Sequence, residues 1–251
     1  MMAVLLCAGY GTRMYPLTRH RPKPLLPVAG RPVLDYLMDQ LIALEALQAI
    51  HLVTNARFFD DFAIWATRWR QELANRDRRL VLHNDGSTSA ENRLGACADL
   101  KLVLDRTERG EGFLVAAGDN IFRFDLSPLW SVFRRAAHHR LVALPETDLA
   151  RLRQTGVPLW GAGDRVRDLV EKPARPPSNW CCPALYFLKP SAFARLATFL
   201  PSAGNRDAPG HFIGYLCRRE TVNAFRLNAR RLDIGDRAGY RRADRLLRSG
   251  G

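Results

Sequence analysis

Hydrophobic and polar positions alternate between two periods along this chain. Residues 2–7 form an apolar run of strand length that ends in a glycine turn. Behind Pro32, a residue suited to opening a helix, Leu34, Leu37, Met38, Leu41 and Ile42 recur at helical spacing. The same reading predicts strands over residues 50–54, 80–83, 113–117 and 141–144, and helices over 58–75, 94–104 and 126–138. The second half is more mixed. Short strands are expected at 157–160, 166–170, 184–188 and 222–227, and helices at 191–199, 210–219 and 238–248.

Strands and helices at this spacing imply βαβ units, and so an α/β fold with a doubly wound, mostly parallel sheet covered on both faces. Ligands of such sheets bind beyond the carboxyl ends of the strands, so the loops after Cys7 and Ala117 should face one crevice. No repeat, low-complexity tract or linker interrupts the pattern. One domain is therefore expected over residues 1–251.

Composition narrows the function classes. A 47% hydrophobic content suffices for one large core. No apolar run reaches the length of about 18 residues needed to span a membrane, and no basic segment precedes the first apolar run. The cytoplasm is the default location. The five cysteines lack metal-site spacing and read as reduced, buried residues, Cys7 included. His51, His138 and His139 have no ligand partners in the sequence, and Trp65 and Trp69 read as core packing.

The net charge of +13 points to anionic partners, and the arginines at 237, 241, 245 and 248 form a stripe at helical spacing. No aromatic residues alternate with them as a base-stacking platform would require, which argues against nucleic acid. Of the 38 basic residues only Lys23, Lys101, Lys172 and Lys189 are lysines. An arginine-dominated chain that keeps lysine at positions 23 and 172 reads as constrained there, because an ammonium and a guanidinium do not interchange at a tight anion contact.

The most informative segment follows the first strand: Ala8-Gly9-Tyr10-Gly11-Thr12-Arg13-Met14, then Arg21-Pro22-Lys23-Pro24. Two glycines bracket a turn where the backbone can approach a phosphate and offer its N–H groups. It is neither a Walker A loop nor a full dinucleotide fingerprint. The whole run closely resembles the signature of the sugar-1-phosphate nucleotidyltransferases, the NDP-sugar pyrophosphorylases such as the glucose-1-phosphate thymidylyltransferases. Later motifs follow in the family's order: Gly118-Asp119-Asn120, Gly156, Glu171-Lys172-Pro173, Leu185-Tyr186-Phe187 and Asp233-Ile234-Gly235.

The resemblance implies a Rossmann-like nucleotidyltransferase, with a nucleotide-binding half over 1–145 and a sugar-phosphate half over 146–251, that joins an NTP to a sugar 1-phosphate, releases pyrophosphate and uses Mg2+. Ala8, Gly9, Gly11, Thr12, Arg13, Asn92, Gly95 and Asp119 are its expected nucleotide contacts. Asn120, Gly156, Glu171, Lys172, Tyr186 and Asp207 are expected on the sugar phosphate. Asp119 and Asp233 are expected on the metal, although each could instead be a turn or cap residue. Arg13 and Lys23 are the expected catalytic residues, holding the β/γ- and α-phosphates. A homo-oligomer is left open.

Departures from the pattern bear on the substrates. The family's usual Gln five residues before Gly95 is Ala90, so base recognition should pass to Glu91, Asn92 or backbone near Gly86 and Gly95. The usual Trp before the second metal Asp is Arg231 or Leu232, a Thr-Gly pair is Pro183-Ala184, and residues 205–211 replace the segment that meets the sugar. These changes predict a sugar phosphate other than ordinary glucose 1-phosphate. A cytidylyltransferase for a phosphorylated polyol or choline is the alternative enzyme; a nucleotide-sugar sensor or a basic nucleic-acid binder are the non-enzymatic ones.

Overall fold

The computed structural model describes residues 1–108 and 110–249. The strands are β1 (Met2–Leu6), β2 (Pro27–Val28), β3 (Arg31–Pro32), β4 (Ala49–Thr54), β5 (Arg79–Asn84), β6 (Phe113–Ala117), β7 (Asn120–Phe122), β8 (His139–Pro145), β9 (Gly156–Trp160), β10 (Val166–Glu171), β11 (Trp180–Cys181), β12 (Leu185–Leu188), β13 (Val222–Arg226) and β14 (Arg231–Asp233). The α-helices are α1 (Val33–Ile42), α2 (Phe59–Ala74), α3 (Ala96–Asp105), α4 (Ser127–Arg135), α5 (Leu149–Leu152), α6 (Ser191–Ser202), α7 (Pro209–Cys217) and α8 (Arg237–Arg248).

The central sheet runs β11-β8-β12-β6-β1-β4-β5, with β13 also beside β8. Strands β6, β1, β4 and β5 are mutually parallel, whereas β12 is antiparallel to both β6 and β8. The α/β, mostly parallel expectation holds. Strand β1 shows why its sequence reads as an unbroken apolar run. Ala3 and Leu5 pack into one core cluster with α1, α2 and α4, while Met2 and Val4 pack into another with α3, α6 and α7. Both faces are buried, so no polar alternation survives.

Element boundaries differ from expectation where the backbone changes hand. Helix α3 starts at Ala96, not at residue 94, because Gly95 has φ 90°. Helix α4 ends at Arg135, where Ala136 turns extended, and residues 139–140 already belong to β8. Among the described residues no helix is long and apolar enough to cross a membrane. Trp65 and Trp69 pack in the core as expected, and both indole N–H groups also donate to the buried Asp35 carboxylate, at 2.7 and 3.1 Å.

A third, smaller cluster positions the loops at the sheet's carboxyl edge. It joins Met14, Leu26, Val28 and Val33 to Ile121, Leu232 and Ile234, with Ala243 of α8 behind them. The loop after β1, the Lys23 segment and the β7–β14 pair thus share one apolar anchor.

Candidate functional site

The loop after β1 is held from three sides. Cys7 N–H bonds to Val53 O at 2.9 Å, and the buried Asn55 donates to Ala8 O at 2.9 Å. Gly11 adopts φ 61° at the head of a short 3-10 turn over Thr12–Met14, and Thr18 Oγ1 donates to its carbonyl at 2.8 Å. A β-carbon at Gly11 would lie 3.2 Å from Thr18 and carry a left-handed backbone, so glycine is favoured on both counts. At the end of β6, a β-carbon on Gly118 would collide with Cys7 Sγ, which explains how closely the two strand ends approach. Burial pushes the Cys7 thiol up, so it is an inert packing group.

Asp119 is the hub. Its carboxylate contacts the Lys23 ammonium, and Asn120 Nδ2 donates to Asp119 Oδ1 at 2.9 Å. Burial acts to raise the Asp119 carboxyl, but Lys23, and beyond it Arg231, hold it below the ordinary carboxylate range. Strand β14 pairs antiparallel with β7 and sets Asp233 opposite Asn120, while Ile234 N–H bonds to Asp119 O at 3.3 Å. The two aspartates are therefore neighbours through backbone pairing, although 114 positions separate them in sequence.

Two cavities meet at this hub. One, of about 330 Å³, is lined by Gly9, Gly11, Thr12 and Lys23, and by Asp207 from the second half of the chain. The other, of about 440 Å³, is lined by Asn120, Gly156, Glu171, Tyr186 and Asp233. Arg13 and Asp119 line both. In the larger cavity Glu171 lies against Gly156 and Gly210; a β-carbon at Gly210 would strike its carboxylate. Burial raises the Glu171 carboxyl, opposed by the Lys172 charge.

Not every expected contact residue borders these two cavities. Ala8, Asn92, Gly95 and Lys172 line neither cavity. Asn92 is occupied locally: its Oδ1 accepts from the Thr88 and Ser89 amides at 3.0 and 2.9 Å, closing the loop on itself. Glu91 is exposed to solvent. Gly95 is needed for α3, since a β-carbon there would sit 2.8 Å from Arg206 O. Lys172 is exposed in a left-handed conformation, φ 47°. Asp207, expected on the sugar side, is on the side of the glycine loop, gripped by the Arg93 fork at 3.1 and 2.6 Å. That bond, more than Lys172, depresses its carboxyl.

Sequence reasoning missed Arg151, Gln154, Arg231 and Arg242, all of which line the larger cavity. Only Arg231 carried a signal, as a departure from the family pattern. It also missed a buried acid pair under the 84–93 loop. Tyr10 bonds to Ser87 Oγ at 3.1 Å, Ser87 Oγ donates to Asp85 at 2.8 Å, and Asp99 of α3 lies buried beside Asp85.

Burial, reinforced by Asp85, pushes Asp99 up to about 8. A carboxyl raised in the fold favours folding while protonated; that advantage declines as pH rises from its unfolded value towards 8. Asp99→Asn keeps a donor for Asp85 and cannot ionise. It is expected to melt about 4 °C or more above the parent protein at pH 8, with the gap closing towards pH 4, in thermal unfolding followed by circular dichroism. A lower melting temperature at pH 8 would contradict the buried neutral acid.

Among the described residues, no three His, Cys, Asp or Glu side chains form a self-sufficient metal site. Asp119 and Asp233 nevertheless suit a hard divalent ion that completes its shell with phosphate oxygens and water. The Lys23 ammonium on Asp119 marks that place as one that attracts cations.

A family model described as nucleotidyl transferase matches residues 2–250. The UTP–glucose-1-phosphate uridylyltransferase AglF of Haloferax volcanii is 29% identical, over 94% of this chain and 91% of its own length. The bifunctional protein GlmU of Methanococcus maripaludis is 27% identical over 94% of this chain, which spans about half of that protein. A solved UDP-glucose pyrophosphorylase with UDP-glucose superposes with a TM-score of 0.81, covering 100% of this chain and 99% of that one. At 20% identity that likeness speaks for the fold.

Proposed function

The chain belongs to the nucleotidyl transferase family, and from that premise we propose that it transfers a uridylyl group from UTP to a hexose 1-phosphate, giving a UDP-sugar and pyrophosphate. The observation that carries this reading is the meeting of two cavities at Arg13 and Asp119. One offers a glycine turn and two cations, as a triphosphate needs; the other offers Glu171 and Asn120, as sugar hydroxyls need. UTP is chosen because AglF and the pyrophosphorylase are named for uridine nucleotides.

Each group then has a task. The Gly9–Gly11 turn offers N–H groups to the triphosphate, and Arg13, at the junction, holds the departing pyrophosphate with its planar fork. Lys23 leaves Asp119 for the α-phosphate, neutralising it as the sugar phosphate oxygen approaches in line. Asp119 and Asp233 would hold Mg2+, which supplies charge neutralisation on the phosphates. Glu171 accepts a hydrogen bond from a sugar hydroxyl, and its partial burial keeps that bond selective. No proton relay is required, because the attacking phosphate is already an anion.

A panel of five NTPs against hexose, hexosamine and pentose 1-phosphates, with pyrophosphate detection, tests the reading. UTP with a hexose 1-phosphate should give the largest kcat/KM. Pyrophosphate release from ATP or GTP alone would contradict it. The departures at Arg231 or Leu232, Pro183–Ala184 and 205–211 make the hexose other than glucose the arm of most interest.

Gly210→Ala tests the sugar side separately. The added methyl must displace the Glu171 carboxylate. kcat/KM for the sugar phosphate is expected to fall about 10–100-fold, the scale of one lost hydrogen bond to a charged group, while the KM for UTP holds. Unchanged saturation by the sugar phosphate would remove Glu171 from that contact.

A further inference from the structure

Both carboxylates of the candidate metal pair are already matched by cations of this chain, and the two cations are of different kinds. Lys23, on Asp119, sits on a flexible stem and can leave. Arg231 cannot. Its guanidinium is held at two points: Nη1 donates to Asn120 Oδ1 at 2.7 Å, and Nη2 lies 3.7 Å from Asp233 Oδ2. Asn120 in turn donates to Asp119 at 2.9 Å, so one chain of contacts runs Asp233, Arg231, Asn120, Asp119. Held at both ends, this guanidinium is a fixed counter-charge beside Asp233.

We propose that Arg231 is a built-in competitor for the divalent cation, holding Asp233 in the nucleotide-free protein so that the ion binds tightly only with a triphosphate. An incoming divalent ion meets a fixed positive charge at Asp233 as well as a displaceable one at Asp119. The polyanionic triphosphate reverses that balance, bringing oxygens that ligate the ion and giving Lys23 a new partner. The cation would therefore enter with the nucleotide. This deepens the reading of Asp119 and Asp233 as the ion's carboxylates; it does not depend on which base or sugar is used.

The test is a titration of the protein with Mn2+ alone, read by the loss of the free-ion electron paramagnetic resonance signal. Arg231→Gln should bind Mn2+ about tenfold more tightly than the parent, the scale of one partly exposed charge. Arg231→Lys, which keeps the charge on a displaceable stem, should fall between the parent and the Gln variant. Adding Asp233→Asn to Arg231→Gln should abolish the gain. Circular dichroism checks the fold, and Arg231→Leu serves the same reading should the Gln variant not fold. Equal or weaker Mn2+ binding by a folded neutral variant overturns the proposal, as does a gain that survives Asp233→Asn. Neither nucleotide nor sugar enters the titration, so an error in the proposed reaction would leave this result intact.

Discussion

Asp119→Asn is expected to lower turnover by at least about 10³-fold while leaving the melting temperature within a few degrees. Asp119 lines both cavities, contacts Lys23, and receives the side chain of Asn120. The amide keeps the shape and can still meet Asn120. It loses the charge that would hold a divalent ion and that parks Lys23 before the triphosphate arrives. Lys23 borders the smaller cavity on a flexible stem, so the unpaired ammonium can turn into that space and the fold survives. Initial rates with saturating UTP, hexose 1-phosphate and Mg2+, beside a thermal melt, decide the matter. Turnover near that of the parent, or turnover undiminished in excess chelator, would remove Asp119 and the metal from the account.

Lys23→Ala and Arg13→Ala should each reduce kcat/KM by about 10²–10³, as for the loss of one preorganised charge at a reacting phosphate. The more telling variant is Lys23→Arg. Lys23 lies between buried Pro22 and Pro24 in a short 3-10 turn that fixes where its stem begins. A planar five-donor fork is too broad for the place that an ammonium fills beside Asp119. Lys23→Arg should therefore remain at least about tenfold below the parent. Full activity in that variant would show that charge alone matters at this position.

The fold was legible because its elements carry strong periods. Strands β1, β4 and β6 read as short apolar runs because both their faces are covered, and α1 shows a clean helical stripe. What escaped was short or non-local. Strands β7 and β14 have three residues each, too few for any period, and their pairing creates the neighbourhood of Asp119 and Asp233. The Arg93–Asp207 pair joins exposed residues 114 positions apart, and nothing in the local sequence of either announces the other. Asn92 was ambiguous for the opposite reason. A polar residue in a polar loop can face a ligand or close the loop, and here it closes the loop on Thr88 and Ser89. The glycine turn was the clearest site signal, since Gly11 must adopt a left-handed backbone against Thr18.

The account turns on one bond change at the junction of the two cavities: a sugar phosphate oxygen attacks the α-phosphorus of UTP, and the β- and γ-phosphates leave together. Phosphorus-31 nuclear magnetic resonance of the enzyme with UTP, a hexose 1-phosphate and Mg2+ observes that change directly. The three triphosphate resonances and the sugar phosphate resonance should decline together. Inorganic pyrophosphate and the paired resonances of a sugar-linked diphosphate should grow in equal amounts. Orthophosphate as the product, or pyrophosphate accompanied by UMP with the sugar phosphate untouched, would contradict it.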